Sequence, residues 1–202
     1  GNPANLKLAI QGLARFHIAS RNYKPNDTAR VSTKLGKWPE QYRSMKDRMA
    51  SWKEIAQSNG SQSGYAAYLK CTDPMLSLAD LALTLIDGSR YAELTSEGSP
   101  SIVLCHQDYG KGNALATPEG VYVLDLDGVT FDLPARDLRK IIGKLAENRG
   151  QWHLSTINDV IGWYSEINPL GADEKEVLYI DLLYPHWYFG LVKNLFQNNK
   201  LL

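Results

Sequence analysis

The stretch from Ile102 to Asp127 sets the tightest limits on this chain, because it places acidic residues on short strand-like runs joined by glycine-bearing loops. Ile102-Val103-Leu104-Cys105 is an apolar run of strand type that leads into His106-Gln107-Asp108. Gly110 and Gly112 permit a sharp backbone path to Asn113. Ala114-Leu115-Ala116 could form a second short strand, and Pro118-Glu119-Gly120 reads as a turn. The β-branched and aromatic run Val121-Tyr122-Val123-Leu124 predicts a strand returning antiparallel to the first and delivering Asp125. Asp127 then falls on the same face if the strand continues.

These residue types suit phosphoryl transfer. That reaction needs a carboxylate to orient or deprotonate the attacking hydroxyl, and hard oxygen ligands for the Mg²⁺ that bridges nucleotide phosphates. Asp108 is the candidate catalytic carboxylate, and the Asn113 amide oxygen and Asp125 carboxylate are the candidate metal ligands. The plain alternatives are a loop carboxylate capping local backbone donors and two polar groups at turn or strand ends.

His106-x-Asp108-x4-Asn113, followed by an apolar strand and Asp125, resembles the catalytic core of aminoglycoside-phosphotransferase and choline-kinase-like enzymes, relatives of the protein kinases. The loop His106-Gln107-Asp108-Tyr109-Gly110-x-Gly112-Asn113 is most similar to that of the kinase-like proteins of bacterial spore coats. The resemblance covers essentially the whole chain, including Leu13-Ala14-Arg15-Phe16-His17 and Asp132-Leu133-Pro134-Ala135-Arg136-Asp137-Leu138. It implies a mainly α-helical (α+β) carboxy-terminal kinase lobe spanning residues 1–202, with small β-hairpins carrying the catalytic loop and the metal-binding Asp. It also implies ATP and Mg²⁺ as cofactors, a small-molecule hydroxyl as acceptor, and a place in the spore coat with other coat proteins as partners.

Residue by residue, the resemblance makes Asp108 the catalytic group and Asn113 and Asp125 the Mg²⁺ ligands. His106 and Asp137 support the catalytic loop. Asp137, before Leu138-Arg139-Lys140, also has the place of a helix N-cap. Asp127 could join the metal shell through water or be a solvated carboxylate. Related loops carry a basic residue two positions after the catalytic Asp, where this chain has Gly110; Lys111 could reach a phosphate or face solvent. No six-residue glycine loop occurs, so the resemblance implies an amino-terminal, nucleotide-clamping lobe missing from these residues, and a nearly inactive lobe without it. The rival readings are a catalytically silent kinase-fold protein of the coat, a nucleotide-binding regulator, and a hydrolase using Asp108 and His106, which lacks a placed Ser or Cys nucleophile.

Lys+Arg and Asp+Glu both number 22, so a broad surface for nucleic acid or anionic membrane is not expected. The cysteines, Cys71 and Cys105, give neither a disulfide framework nor a metal cluster. No apolar run approaches membrane-spanning length and no signal peptide is evident, which makes an intracellular protein the expectation.

Outside the central stretch the pattern is helical. Leu6, Ile10, Leu13, Ala14 and His17 predict an amphipathic helix over about residues 4–20, with His17 either a core histidine bonded to backbone or a group that positions the catalytic segment. Arg15 and Arg21 read as solvated. Tyr42, Met45, Met49, Trp52 and Ile55 predict a helix over 40–56, with Lys46, Arg48 and Lys53 on its outer face. A linker or helix break is expected over 58–64 and a helix start over 65–71. Met75 to Ile86 reads as a separate buried helix under the catalytic segment. Residues 157–167 and 173–183 and the aromatic-rich run after Pro185 complete a helical lobe. The last of these could wall an acceptor cleft or simply pack the core.

Overall fold

The computed structural model describes residues 3–60 and 64–198. The predicted linker therefore lies in part, at residues 61–63, outside the described residues. Among these described residues eight α-helices and four short strands follow one another. They are α1 (Pro3–Ala19), α2 (Trp38–Ser58), α3 (Tyr65–Gly88), α4 (Tyr91–Leu94), β1 (Val103–Cys105), β2 (Ala114–Thr117), β3 (Gly120–Val123), β4 (Thr130–Asp132), α5 (Ala135–Arg149), α6 (Leu154–Ser165), α7 (Ala172–Leu183) and α8 (His186–Asn198). Among the described residues the fold is mainly helical with two small two-stranded sheets, as expected. Among the described residues no helix is long and apolar enough to cross a membrane.

Two compact units divide the chain. The first comprises residues up to Gly36 together with Arg90–Leu178, and the second Lys37–Ser89 together with the chain from Tyr179 onward.

In the first unit α1 is the central element. Proline at its start fits the first turn, where no intrahelical N–H is needed. Its buried face is Ile10, Gly12, Leu13, Ala14 and His17, and it packs on α6, β1, β2 and β3. A Cβ at Gly12 would lie 2.7 Å from the Val121 Cβ, so only glycine lets β3 approach the helix this closely. The buried Ser20 accepts a 2.9 Å bond from the Leu104 N–H, which ties the end of α1 to β1.

The strands pair differently from the sequence expectation. β3 returns along β2, with Leu115 opposite Tyr122. The tight turn at Pro118-Glu119 makes that neighbour the easiest partner. β1 pairs instead with β4, Val103 opposite Asp132, and residues 32–34 bridge to Phe131 on the far edge of β4. The strand also ends before Asp125, which takes a left-handed conformation (φ 58°) and opens a 3-10 turn over Leu126–Gly128. Asp125 and Asp127 therefore do not share a strand face.

In the second unit α2 and α3 pack closely, and α8 joins α2. The apolar faces are aromatic. Trp52 stacks on Phe189 and Phe196 at 5.7 and 5.2 Å, Tyr65 on Phe196 at 4.9 Å, and Tyr42 on Tyr184 at 4.1 Å. Such pairs contribute about 0.5–1.5 kcal/mol each beyond their burial. Pro74 lies inside α3, so 65–88 is one continuous helix rather than two. Within this unit its packing partner is α2. Lys46 and Lys53 are not merely solvated: Lys46 pairs with Asp80, Lys53 with Asp73 at 2.6 Å, and Arg43 with Asp87 at 2.7 Å, a ladder between the two helices. The Arg48 guanidinium lies over the Trp52 ring at 5.1 Å.

Candidate active site

The site lies in the first unit, between the end of β1 and the end of β3. Asp108 is exposed at the tip of the loop that β1 delivers. The Asn113 side chain folds back on it, and its Nδ2 donates to the Asp108 carbonyl oxygen at 3.0 Å and approaches the carboxylate Oδ2 at 3.4 Å. With Nδ2 so occupied, the amide oxygen of Asn113 is the atom that could accept from or ligate a partner. Gly112 makes this return possible through its φ of +109°, and the Leu124 N–H donates to the Asn113 carbonyl at 2.9 Å.

Asp125 is reached through His106. The His106 Nε2–H donates to the Leu124 carbonyl at 2.7 Å, while Nδ1 accepts from the Asp108 N–H at 3.3 Å. One buried ring thus ties the peptide before Asp125 to the peptide before Asp108. Asp125, Asp127 and Lys111 are all exposed. Asp127 sits in the 3-10 turn and Lys111 on the loop between Gly110 and Gly112. Asn113 and Asp125 offer hard oxygens of the kind that suit Mg²⁺.

The backbone at Gln107 is unusual. Its φ is +70°, a region that costs a residue with a long side chain. The surroundings fix it from every side. Its N–H donates to Asp137 Oδ1 at 2.7 Å, its carbonyl accepts from the Lys140 Nζ at 2.6 Å, its Oε1 accepts from Arg136 Nε at 3.1 Å, and its Nε2 donates to the Gly128 carbonyl at 2.6 Å. Arg136 in turn pairs with the buried Asp132 at 2.8 Å, the acidic neighbour its position suggested.

Asp137 is not a helix cap. α5 already begins at Ala135, and the Asp137 carboxylate leaves the helix to accept from the His106 N–H at 2.6 Å as well as from Gln107. Burial pushes its carboxyl up, but the hydrogen bonds from His17, His106 and Gln107 outweigh this and hold it below the usual carboxylate range.

A buried relay stands behind it. The Arg21 guanidinium donates to Asn168 Oδ1 at 2.6 Å, so the Asn168 amide must present its nitrogen to Tyr164, 2.7 Å away. The Tyr164 oxygen, already accepting, gives its proton to His17 Nδ1 at 2.7 Å, and His17 Nε2–H donates to Asp137 Oδ2 at 3.1 Å. The Asp137 carboxylate only accepts, so it keeps a proton on His17 Nε2 and leaves Nδ1 of the neutral ring to take the Tyr164 proton. His17 is thus bonded to side chains rather than backbone, and Arg21 is engaged rather than solvated. Cys105 lies beside His17 and Asp137, but its Sγ is bonded to the Leu133 carbonyl at 3.1 Å and burial pushes its thiol up, so this buried trio is a packed polar cluster. Tyr109 anchors the other side of the loop by donating to the Ala9 carbonyl at 2.7 Å.

The sequence pattern singled out neither Gln107, Lys140, Tyr164 nor Asn168. Their contribution comes from partners 21–147 positions away, apart from the pair Tyr164 and Asn168, which stand four apart around the end of α6.

The family described as "Spore coat putative kinase YutH" matches residues 4–201. Spore coat protein S of Bacillus subtilis (strain 168) is 28% identical over 195 residues, covering 96% of this chain and 56% of that protein. The crystal structure of an aminoglycoside phosphotransferase from Alicyclobacillus acidocaldarius superposes with a TM-score of 0.82 at 16% identity, covering 100% of this chain and 58% of the other. This likeness shows the fold. The chain spans little more than half the length of either relative.

Proposed function

The chain belongs to the spore coat putative kinase YutH family, and on that footing we propose that its 202 residues form the larger, carboxy-terminal lobe of an ATP- and Mg²⁺-dependent phosphotransferase acting on a hydroxyl of a small molecule. The observation that carries this reading is the folding of Asn113 onto Asp108, which brings a carboxylate and an amide oxygen to one loop tip while His106 ties that loop to Asp125.

Asp108 orients the acceptor hydroxyl and draws its proton as the new bond forms. Asn113 and Asp125 would hold Mg²⁺, and Asp127 would act through a water of the same shell. Bound Mg²⁺ supplies neutralisation of phosphate charge. The exposed Lys111 would offer a point charge to a phosphate. Most catalysis in such a site is positioning and electrostatic stabilisation, which is what the bonds around Gln107 and His106 provide.

The other lobe, on this reading, clamps the nucleotide from above. The exposed pair Leu115 and Tyr122, 54% and 55% accessible and opposite each other across the hairpin, leaves an apolar surface suited to being covered when the lobe and nucleotide are present. The 202-residue lobe alone is therefore expected to turn over negligibly. The name of the coat-protein relative supports a location in the spore coat, with other coat proteins as neighbours.

The test is Mg²⁺-dependent ATP turnover by the full-length protein, beside Asp108→Ala and Asp125→Ala. Loss of turnover by at least a hundredfold in both variants supports the reading. Full-length protein that binds no nucleotide and transfers nothing would instead be a kinase-shaped structural component of the coat.

A further inference from the structure

We infer that Lys140, on α5, is a positioning residue for the transfer step: its ammonium fixes the peptide plane between Gln107 and Asp108 and thereby the aim of the Asp108 carboxylate. The inference rests on the reading of Asp108 as the hydroxyl-orienting group.

The geometry is specific to that peptide. Its carbonyl end, on Gln107, accepts from Lys140 Nζ at 2.6 Å. Its N–H end, on Asp108, donates to His106 Nδ1 at 3.3 Å. The preceding N–H groups, on His106 and Gln107, are held by the two oxygens of Asp137. Every peptide leading into Asp108 is therefore clamped, and Lys140 clamps the last one through a charge-assisted bond, roughly twice as strong as a neutral one. The need for such a clamp is visible in the φ of +70° at Gln107: without an oriented donor on its carbonyl, this strained residue has an escape route that would swing Asp108.

The charges around Lys140 make its state functionally relevant. Arg136 and Arg139 lie on its own helix, with Asp137 on the same helix and Asp108 on the facing loop. Burial and then the two arginines pull its ammonium below the usual lysine range, while Asp137 and Asp108 oppose them. Lys140 also returns positive charge to the neighbourhood of the catalytic loop, in a chain where the position two after Asp108 is Gly110.

The experiment compares full-length wild type with Lys140→Met and Lys140→Arg, using MgATP as the probe and water as the acceptor. For Lys140→Met, kcat for ATP hydrolysis should fall on the order of ten- to a hundredfold while KM for MgATP is unchanged, because a small misplacement of a catalytic group costs rate rather than nucleotide binding. Lys140→Arg should recover part of the rate. The wild-type rate should decline as pH rises through a value below that of an ordinary lysine, and in Lys140→Arg that alkaline limb should move up. Amide hydrogen exchange should quicken in Lys140→Met over residues 106–109 and return in Lys140→Arg. Wild-type turnover with normal kcat and exchange in Lys140→Met overturns the inference and leaves the phosphotransferase reading standing. Wild-type protein that neither binds nor hydrolyses MgATP removes that reading, and the inference falls with it.

Discussion

The two units of this chain are held together by different chemistry. In the first, buried polar groups are numerous and joined: Asp137, His17 and Tyr164 form one relay, and Gln107, Arg136 and Asp132 another. In the second, stacked rings on α2, α3 and α8 dominate; Asp181 is buried against Tyr42 and His186, and the paired charges of α2 and α3 stand outside as a surface ladder. The difference is instructive. Aromatic packing gives bulk stability and tolerates small shifts. A directed chain of hydrogen bonds gives much less net stability per bond but fixes orientation, which a site for in-line transfer requires. The unit that carries Asp108 and Asp125 is the one built from directed bonds.

The largest expected effects break this contrast at its two centres. Asp137→Ala leaves two backbone N–H groups and the His17 ring buried without their acceptor, and should cost about 3–5 kcal/mol in urea denaturation. In full-length protein it should also weaken MgATP binding. Trp52→Ala should cost a similar ~3–5 kcal/mol by cavity formation, yet leave MgATP affinity of the folded protein unchanged. Equal losses of affinity in both would show that the two units are not functionally distinct.

Asp137 also sharpens the comparison through pH. Its folded-state carboxyl sits below its unfolded value. Its contribution is therefore complete above about pH 4, the usual carboxylate range, and is lost as pH falls through the lower folded value. Asp137→Asn should flatten that acid limb in a denaturation series across pH.

A smaller effect is expected from Tyr164→Phe. It removes the proton given to His17 Nδ1 and the oxygen that Asn168 donates to, costing about 1–3 kcal/mol. The His17 ring nitrogen signals in an NMR spectrum should shift, whereas His186 in the second unit should not. The smallest effect belongs to the ladder. Lys46→Ala removes an exposed partner of Asp80 and should cost less than about 1 kcal/mol, with a difference that shrinks further in high salt.

Much of this was legible in the sequence. The helices of α1, α2, α6, α7 and α8 follow from apolar spacing, and the loop from His106 to Asn113 announced itself by residue type. What could not be read was pairing. The turn at Pro118-Glu119 is the local signal that pairs β3 with β2, but nothing local leaves β1 for Thr130–Asp132. Pro74 suggested a break where α3 continues, because the helix packing on α2 outweighs the lost bond. At the site, the motif marked the groups at the loop tip and the resemblance marked His106 and Asp137 as their support, while Gln107, Lys140, Tyr164 and Asn168 went unread. Asp137 read as a brace of the loop and also as a helix cap, since a carboxylate early in a helix usually is one. Only the long-range approach of the His106 and Gln107 N–H groups shows what it holds instead.

The central claim is that Asp108, Asn113 and Asp125 form a working nucleotide and metal site once the chain stands in its full-length protein. Calorimetric titration of ATP with and without Mg²⁺, into wild type and Asp125→Ala, tests it most directly. The account predicts Mg²⁺-dependent binding that the variant loses. Absence of binding in the wild type, or Mg²⁺-dependent binding that survives in Asp125→Ala, would contradict it.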